Sequence, residues 1–301
     1  TVKAVSSGGT QQFTASVTGT NNTAVTWSIQ EANGGTINAS GLYTAPAGAG
    51  TYHVIATSMA DPSKSGSAAV TVNAVTHNLT NLFILHLSVG NGLIVDGGMR
   101  NVIAAYNTAN STQFVLWDHG YNADGLRDQH GNFTGTNYSI PSDDTTPWGL
   151  CLIWTSQDPE YVATRTAMMS NHQVIAFKSC FPASDIGDAN TLQQYKTWYL
   201  AMRDFFDAHP EKLFIVMTTP PLHRLATNPT AAANARAFAN WLSSSTYLSG
   251  HPNVRCFNLF DYLAKADDGT PTANMLRFEY ELDDGSDDSH PNAQANAIVG
   301  P

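Results

Sequence analysis

The stretch Asn81-Leu82-Phe83-Ile84-Leu85-His86-Leu87-Ser88-Val89-Gly90-Asn91-Gly92 decides the fold. Its four consecutive apolar residues, Leu82 to Leu85, predict a short strand buried on both faces, the pattern of a parallel sheet. Small and polar residues then break the run, and Met99, Val102, Ile103 and Tyr106 recur at helical spacing. Ser88 thus falls where a buried strand gives way to a loop before a helix. In an open α/β sheet that is the carboxyl edge, where ligands bind. The nearby glycines let the backbone bend and leave the serine hydroxyl uncovered. A lone serine at a strand end more often serves as a turn or cap hydroxyl, so its meaning rests on partners elsewhere.

Those partners stand at the far end of the chain, in Asp287-Asp288-Ser289-His290-Pro291-Asn292. An aspartate three residues before a histidine puts a base and its orienter on one loop, and with Ser88 completes the parts of a nucleophile–base–acid relay. From about Leu82 onward the chain resembles the SGNH (GDSL-type) hydrolases, whose serine follows the first strand and whose Asp-x-x-His block lies near the C-terminus. The resemblance implies Ser88 as nucleophile, His290 as general base and Asp287 as its orienter, with Asp288 the rival for that last role. It also implies three oxyanion donors: the backbone N–H of Ser88, a glycine after the second strand and a side chain after the third. Gly125 is assigned as the glycine, with Gly120 the alternative. The third block reads Lys178-Ser179-Cys180-Phe181 and lacks Gly-x-Asn-Asp, so Ser179 is assigned the donor role there, with Asn91 or Asn122 the alternatives. His86-Leu87-Ser88 likewise stands where the family has Gly-Asp-Ser. Asn91, Asn122 and His223 are expected to reach the substrate, and Lys178 to pair with Asp185, the alternative being a substrate carboxylate. No cofactor or metal is expected, and the acidic run Asp283, Asp284, Asp287, Asp288 is read as a solvated loop rather than a calcium site. The resemblance further implies a closing helix after His290, so the few remaining residues lead to the expectation of a truncated or processed terminus.

Around the Ser88 strand, Gln113–Trp117, Val174–Phe177, Leu213–Met217 and Val254–Leu259 are also predicted as strands. A helical stripe runs from Leu192 to Phe206, and a capped helix opens at Asn228-Pro229. Strands alternating with helices predict a parallel five-stranded sheet in a three-layer α/β sandwich, with the flavodoxin-like order 2-1-3-4-5 taken partly from the resemblance. Residues 1–76 form a separate all-β unit and 77–301 the α/β unit. Gln12–Val17, Ala24–Ile29, Tyr52–Thr57 and Ala68–Val72 alternate at period two, with Trp27 as the large core residue of a small sandwich. Val25-Thr26-Trp27-Ser28 and Gly34-Gly35-Thr36-Ile37-Asn38-Ala39-Ser40-Gly41-Leu42-Tyr43-Thr44-Ala45-Pro46 resemble bacterial immunoglobulin-like domains, which implies a spacer, stabiliser or weak adhesive module.

The net charge of −10 lies wholly outside the first 76 residues, where Lys3 and Lys64 balance Glu31 and Asp61. An acidic chain without concentrated Lys and Arg excludes a nucleic-acid partner. No apolar run approaches the roughly 20 residues needed to span a bilayer. Low charge, abundant Thr, Ser, Asn and Gly, and a start at Thr1 rather than Met predict a secreted or cell-surface protein whose leader has been removed. Sequons stand at Asn21, Asn38, Asn78, Asn110, Asn132 and Asn137. Cys151, Cys180 and Cys256 fit either one disulfide plus a thiol or three buried thiols. The function expected is an extracellular serine esterase that removes small acyl groups, acetyl above all, from a polysaccharide, with the N-terminal unit making a polymer or cell-surface association. The alternatives are a non-catalytic surface protein on the same scaffold, and a lipid esterase or thioesterase.

Overall fold

A computed structural model of the chain describes residues 3–6, 8–46, 48–73, 79–282 and 284–301. The sequon at Asn78 and the acidic residue Asp283 lie outside the described residues, as does most of the connector from 74 onward. The chain divides into two compact units, Thr1–His77 and Asn78–Pro301.

The first unit carries β1 (Lys3–Ser6), β2 (Thr10–Gln12), β3 (Val25–Ile29), β4 (Thr36–Ile37), β5 (Leu42–Thr44), β6 (Gly50–Ser58) and β7 (Ser65–Asn73). They form a four-stranded sheet in the order β1-β7-β6-β3 and a three-stranded sheet in the order β2-β5-β4. Phe13, Tyr43, Val54, Val70 and Val72 make the core between them. The large fully buried ring is Tyr43, whose hydroxyl donates to Gly34 O at 2.7 Å, whereas Trp27 is only half-buried against that core. The expected strand over Gln12–Val17 ends at Gln12, because Phe13 turns into the core and Thr14 to Ser16 are exposed.

The second unit has six strands: β8 (Asn81–Leu85), β9 (Val115–His119), β10 (Leu126–Arg127), β11 (Val174–Lys178), β12 (Leu213–Met217) and β13 (Val254–Phe257). Its helices are α1 (Val89–Val95), α2 (Met99–Asn110), α3 (Pro147–Thr155), α4 (Pro159–Asn171), α5 (Ala189–Asp207), α6 (Pro229–Ser243), α7 (Ser245–Leu248), α8 (Leu259–Leu263) and α9 (Ala293–Val299). The sheet order is β10-β9-β8-β11-β12-β13. Five of these strands are parallel, and β10 adds an antiparallel edge to β9, so the sheet is six-stranded rather than five-stranded. Two residues are too few for periodicity to announce a strand, and a tight reversal places them: Asp124 N and Gly125 N both donate to Tyr121 O. The last expected strand stops at Phe257, since Asn258 caps α8 by accepting from Asp261 N.

Alternation along the strands splits their side chains between two cores. Phe83, Leu85, Ile175, Phe177, Phe214 and Val216 pack with α3, α5 and α6 on one face. Ala176 and Met217, with the half-buried Ile84 and Ile215, pack with Leu93, Leu259, Leu263, Ala295 and Val299 on the other. Trp154 is fully buried in the first core, Phe206 stacks on Phe214 at 4.1 Å, and all three cysteines are free. The periodic signals left α3 and α4 unpredicted. Their caps were nonetheless in the sequence: Thr146 and Asp158 each precede a proline at N1 and accept a backbone N–H of the first turn. Phe206→Ala is expected to lower the unfolding free energy of this unit by about 3–5 kcal/mol, since it removes a buried ring from between Phe214 and Trp154. Urea denaturation followed by tryptophan fluorescence reads this.

Candidate active site

Ser88 begins α1 directly after the buried residues His86 and Leu87, with φ 51° and ψ −105°. A residue with a side chain holds that conformation at a cost of about 1–3 kcal/mol, and only where its surroundings over-determine it. Three constraints do so. His86 N donates to His119 O at 3.0 Å and fixes the strand end, while Gly90 N donates to Leu87 O and Asn91 N to Ser88 O. The third is steric: a Cβ at Gly90 would lie 2.3 Å from His86 Cβ, so only glycine lets the turn close on the histidine ring. This sharp strand-to-helix turn holds Ser88 at the wall of a cavity.

The Ser88 hydroxyl is hydrogen-bonded to His290 Nε2. Asp288 Oδ1 accepts from His290 Nδ1 at 2.5 Å and from the His290 backbone N–H at 2.9 Å. The carboxylate at the imidazole is therefore Asp288, not the expected Asp287. An aspartate two residues ahead reaches the backbone N–H and the ring nitrogen with one oxygen, while Asp287 is exposed and, among the described residues, makes no hydrogen bond to the ring. Burial raises the Asp288 carboxyl, but the two donors from His290 outweigh it and hold it below its ordinary value. Phe181 packs edge-on to the imidazole with centroids 5.0 Å apart. The loop is anchored from behind, where the buried Ser289 hydroxyl accepts from His223 N at 2.9 Å.

A second polar assembly lies under the turn. His86 Nε2 donates to Asp118 Oδ2 at 3.1 Å, and Asp118 is also bound by Arg100. His86 Nδ1 is buried without a partner, and burial, only partly opposed by Asp118, lowers the affinity of His86 for a second proton. Lys178, expected to pair with Asp185, is instead fully buried with Nζ donating to Ser179 O at 3.3 Å. Burial pushes its ammonium down to about 8.

A cavity of about 630 Å³ opens over Ser88 and His290. Asn91 and Gly120 line it together with Asp96, Arg100, Asp118, Tyr121, Asp124, Arg127 and Asn296. Four expected site residues lie elsewhere. Gly125 sits in the β9–β10 reversal against Phe133, with its N–H bound to Tyr121 O, so Gly120 is the glycine at the cavity. Ser179 is fully buried beside the Tyr199 hydroxyl, because the strand end turns it into the core. Asn122 clamps Ile140 through both its backbone groups, at 2.7 and 2.8 Å. His223 donates from Nε2 to the buried Glu281 at 3.1 Å and accepts Leu225 N at Nδ1, which uses both its nitrogens behind the His290 loop. Sequence reasoning missed Asp118, Arg100, Asp124, Arg127 and Asn296. The signal for Asp118 was its place at the end of the second strand, beside the first. Among the described residues no group of three or more His, Cys, Asp or Glu is placed to hold a metal ion, and no helix is long and apolar enough to cross a membrane.

Gly90→Ala is expected to destabilise the second unit by about 1–3 kcal/mol, because the new methyl has no room against the His86 ring. Urea denaturation measures the loss, and a stability equal to the parent's would show that the ring does not support the turn. Compared with models of known protein families and with curated proteins, the chain matches none.

Proposed function

We propose that the chain is a serine esterase of the SGNH type, on a flavodoxin-like sandwich preceded by an immunoglobulin-like domain, that works outside the cell or at its surface. The observation that carries this reading is the continuous relay from the Ser88 hydroxyl through His290 to Asp288 at the floor of an open cavity. Ser88 Oγ attacks the ester carbonyl as its proton passes to His290 Nε2, and the carbonyl π pair moves onto oxygen. Collapse of the tetrahedral adduct expels the alcohol, which takes that proton, and leaves an acyl-serine. Water then repeats the sequence with His290 as base, releasing the acid and restoring Ser88. Asp288 fixes the tautomer that leaves Nε2 free to accept. The backbone N–H of Ser88 is the assigned oxyanion donor, and Gly120 replaces Gly125 as the second.

The cavity lining favours a polar alcohol group with a short acyl chain. Asp96, Asp124, Arg127 and Asn91 offer hydrogen bonds to hydroxyls, with Tyr121 exposed among them. That supports an acylated carbohydrate over a lipid ester or thioester. The rival reading, a non-catalytic surface protein on the same scaffold, draws on the burial of Ser179 where the family has an asparagine donor.

A fluorophosphonate probe separates the two readings: covalent labelling confined to Ser88 is expected, and an unlabelled folded protein would favour the scaffold. Ser88→Ala is expected to abolish ester hydrolysis and labelling while leaving the circular dichroism spectrum unchanged. Asp288→Asn is expected to lower kcat on a small soluble ester by roughly 10²- to 10⁴-fold, and Asp287→Asn by no more than about threefold. Equal losses in the two variants would return the orienting role to Asp287.

A further inference from the structure

The proposed reaction builds negative charge on the carbonyl oxygen beside Ser88, and Ser179, the expected donor at the end of β11, is buried away from the cavity. What β11 does carry at its end is Lys178. This side chain is fully buried, its ammonium donates to Ser179 O, and among the described residues it pairs with no carboxylate. A buried unpaired cation is among the most costly groups a core can hold, so its retention asks for a reason.

Its neighbours supply one. The register pairs Phe177 with Leu85 as its last pair, so Lys178 and His86 are the next residues at two neighbouring strand ends. Alternation places both on the face of Ala176 and Ile84. On the other side β12 offers only Met217 opposite Lys178. The His86 ring in turn carries Gly90 and with it the Ser88 turn. Around His86 stand two cations, Arg100 at the cavity wall and Lys178 behind it, against the one carboxylate that His86 touches, Asp118. The cluster around His86, the ring that supports the Ser88 turn, therefore carries an excess positive charge.

We propose that Lys178 supplies, through space, positive potential at the oxyanion position that a side-chain donor after the third strand would otherwise supply by contact. The inference rests on the esterase reading of Ser88. Lys178 does not line the cavity, so it acts on the reacting atoms only through its field. A contacting donor contributes about a hundredfold or more to turnover, and a charge one layer behind, screened by the protein, contributes about tenfold.

The test uses the full chain and two neutral variants, Lys178→Met and Lys178→Gln. Active sites are counted by fluorophosphonate titration, so that kcat refers to labelled serine. Both variants are expected to lose about tenfold in kcat on a small soluble ester with KM unchanged, while the melting temperature holds or rises as the buried charge is removed. A merely structural lysine gives the opposite pattern: melting temperature and labelled fraction fall, while kcat per labelled site stays. That pattern overturns the proposal, as do a kcat within about twofold of the parent or the failure of both variants to fold. A parent protein that is neither labelled nor active on any ester overturns the esterase reading and this one with it. An active parent with unchanged variants overturns this one alone.

Discussion

The positive φ of Ser88 is the constraint on which the site depends. A side chain in that region of backbone space stands clear of the strand before it and the helix after it, which is what a nucleophile in a wide cavity needs. Nothing local favours the conformation. It is imposed by the hydrogen bond from His86 N to the neighbouring strand, by the first turn of α1, and by a glycine pressed against an imidazole. Strain at the serine is therefore held by the sheet itself, and the stability of the α/β unit is the reservoir that offsets it.

The two halves of the relay are held in different ways. Ser88 is fixed by the rigid end of the central strand β8, flanked on one side by β9 and on the other by β11. His290 sits on a loop and is fixed by side-chain chemistry: Asp288 grips ring and backbone together, Ser289 ties the loop to His223, and Phe181 closes on the ring. Placing base and orienter within three residues makes them move as one body. Their mutual geometry then survives loop motion that would separate a pair drawn from two elements.

The sheet and the ends of the relay were legible because they rest on local signals. A buried apolar run broken by small residues marks a strand edge wherever it occurs, and a histidine in an acidic, proline-bounded loop needs no tertiary information to stand out. Asp287 against Asp288 turned on whether the loop spans two or three residues between carboxylate and ring, which depends on the Asx-type turn closed at His290 N. Gly125, Ser179, Asn122 and His223 all follow strands, as the reasoning required. Following a strand does not say which face a side chain takes, and each is engaged by a neighbour remote in sequence: Phe133, Tyr199, Ile140 or Glu281. The network of Arg100, Asp118 and His86 escaped for the same reason, since its members come from three elements. The α3 and α4 caps are readable in the sequence, but neither helix carries a strong periodic stripe.

One consequence follows from the distance along the chain between the serine and the histidine, 202 residues. Closing so large a loop carries an entropic cost that ordering the intervening chain offsets. The strand that carries Ser88 precedes most of the α/β unit along the chain, yet its hydroxyl gains its imidazole partner only where the distant His290 loop packs beside it. The pairing of Ser88 with His290 is thus a property of the folded unit alone, and on the proposed reading an unfolded chain has no activity to release.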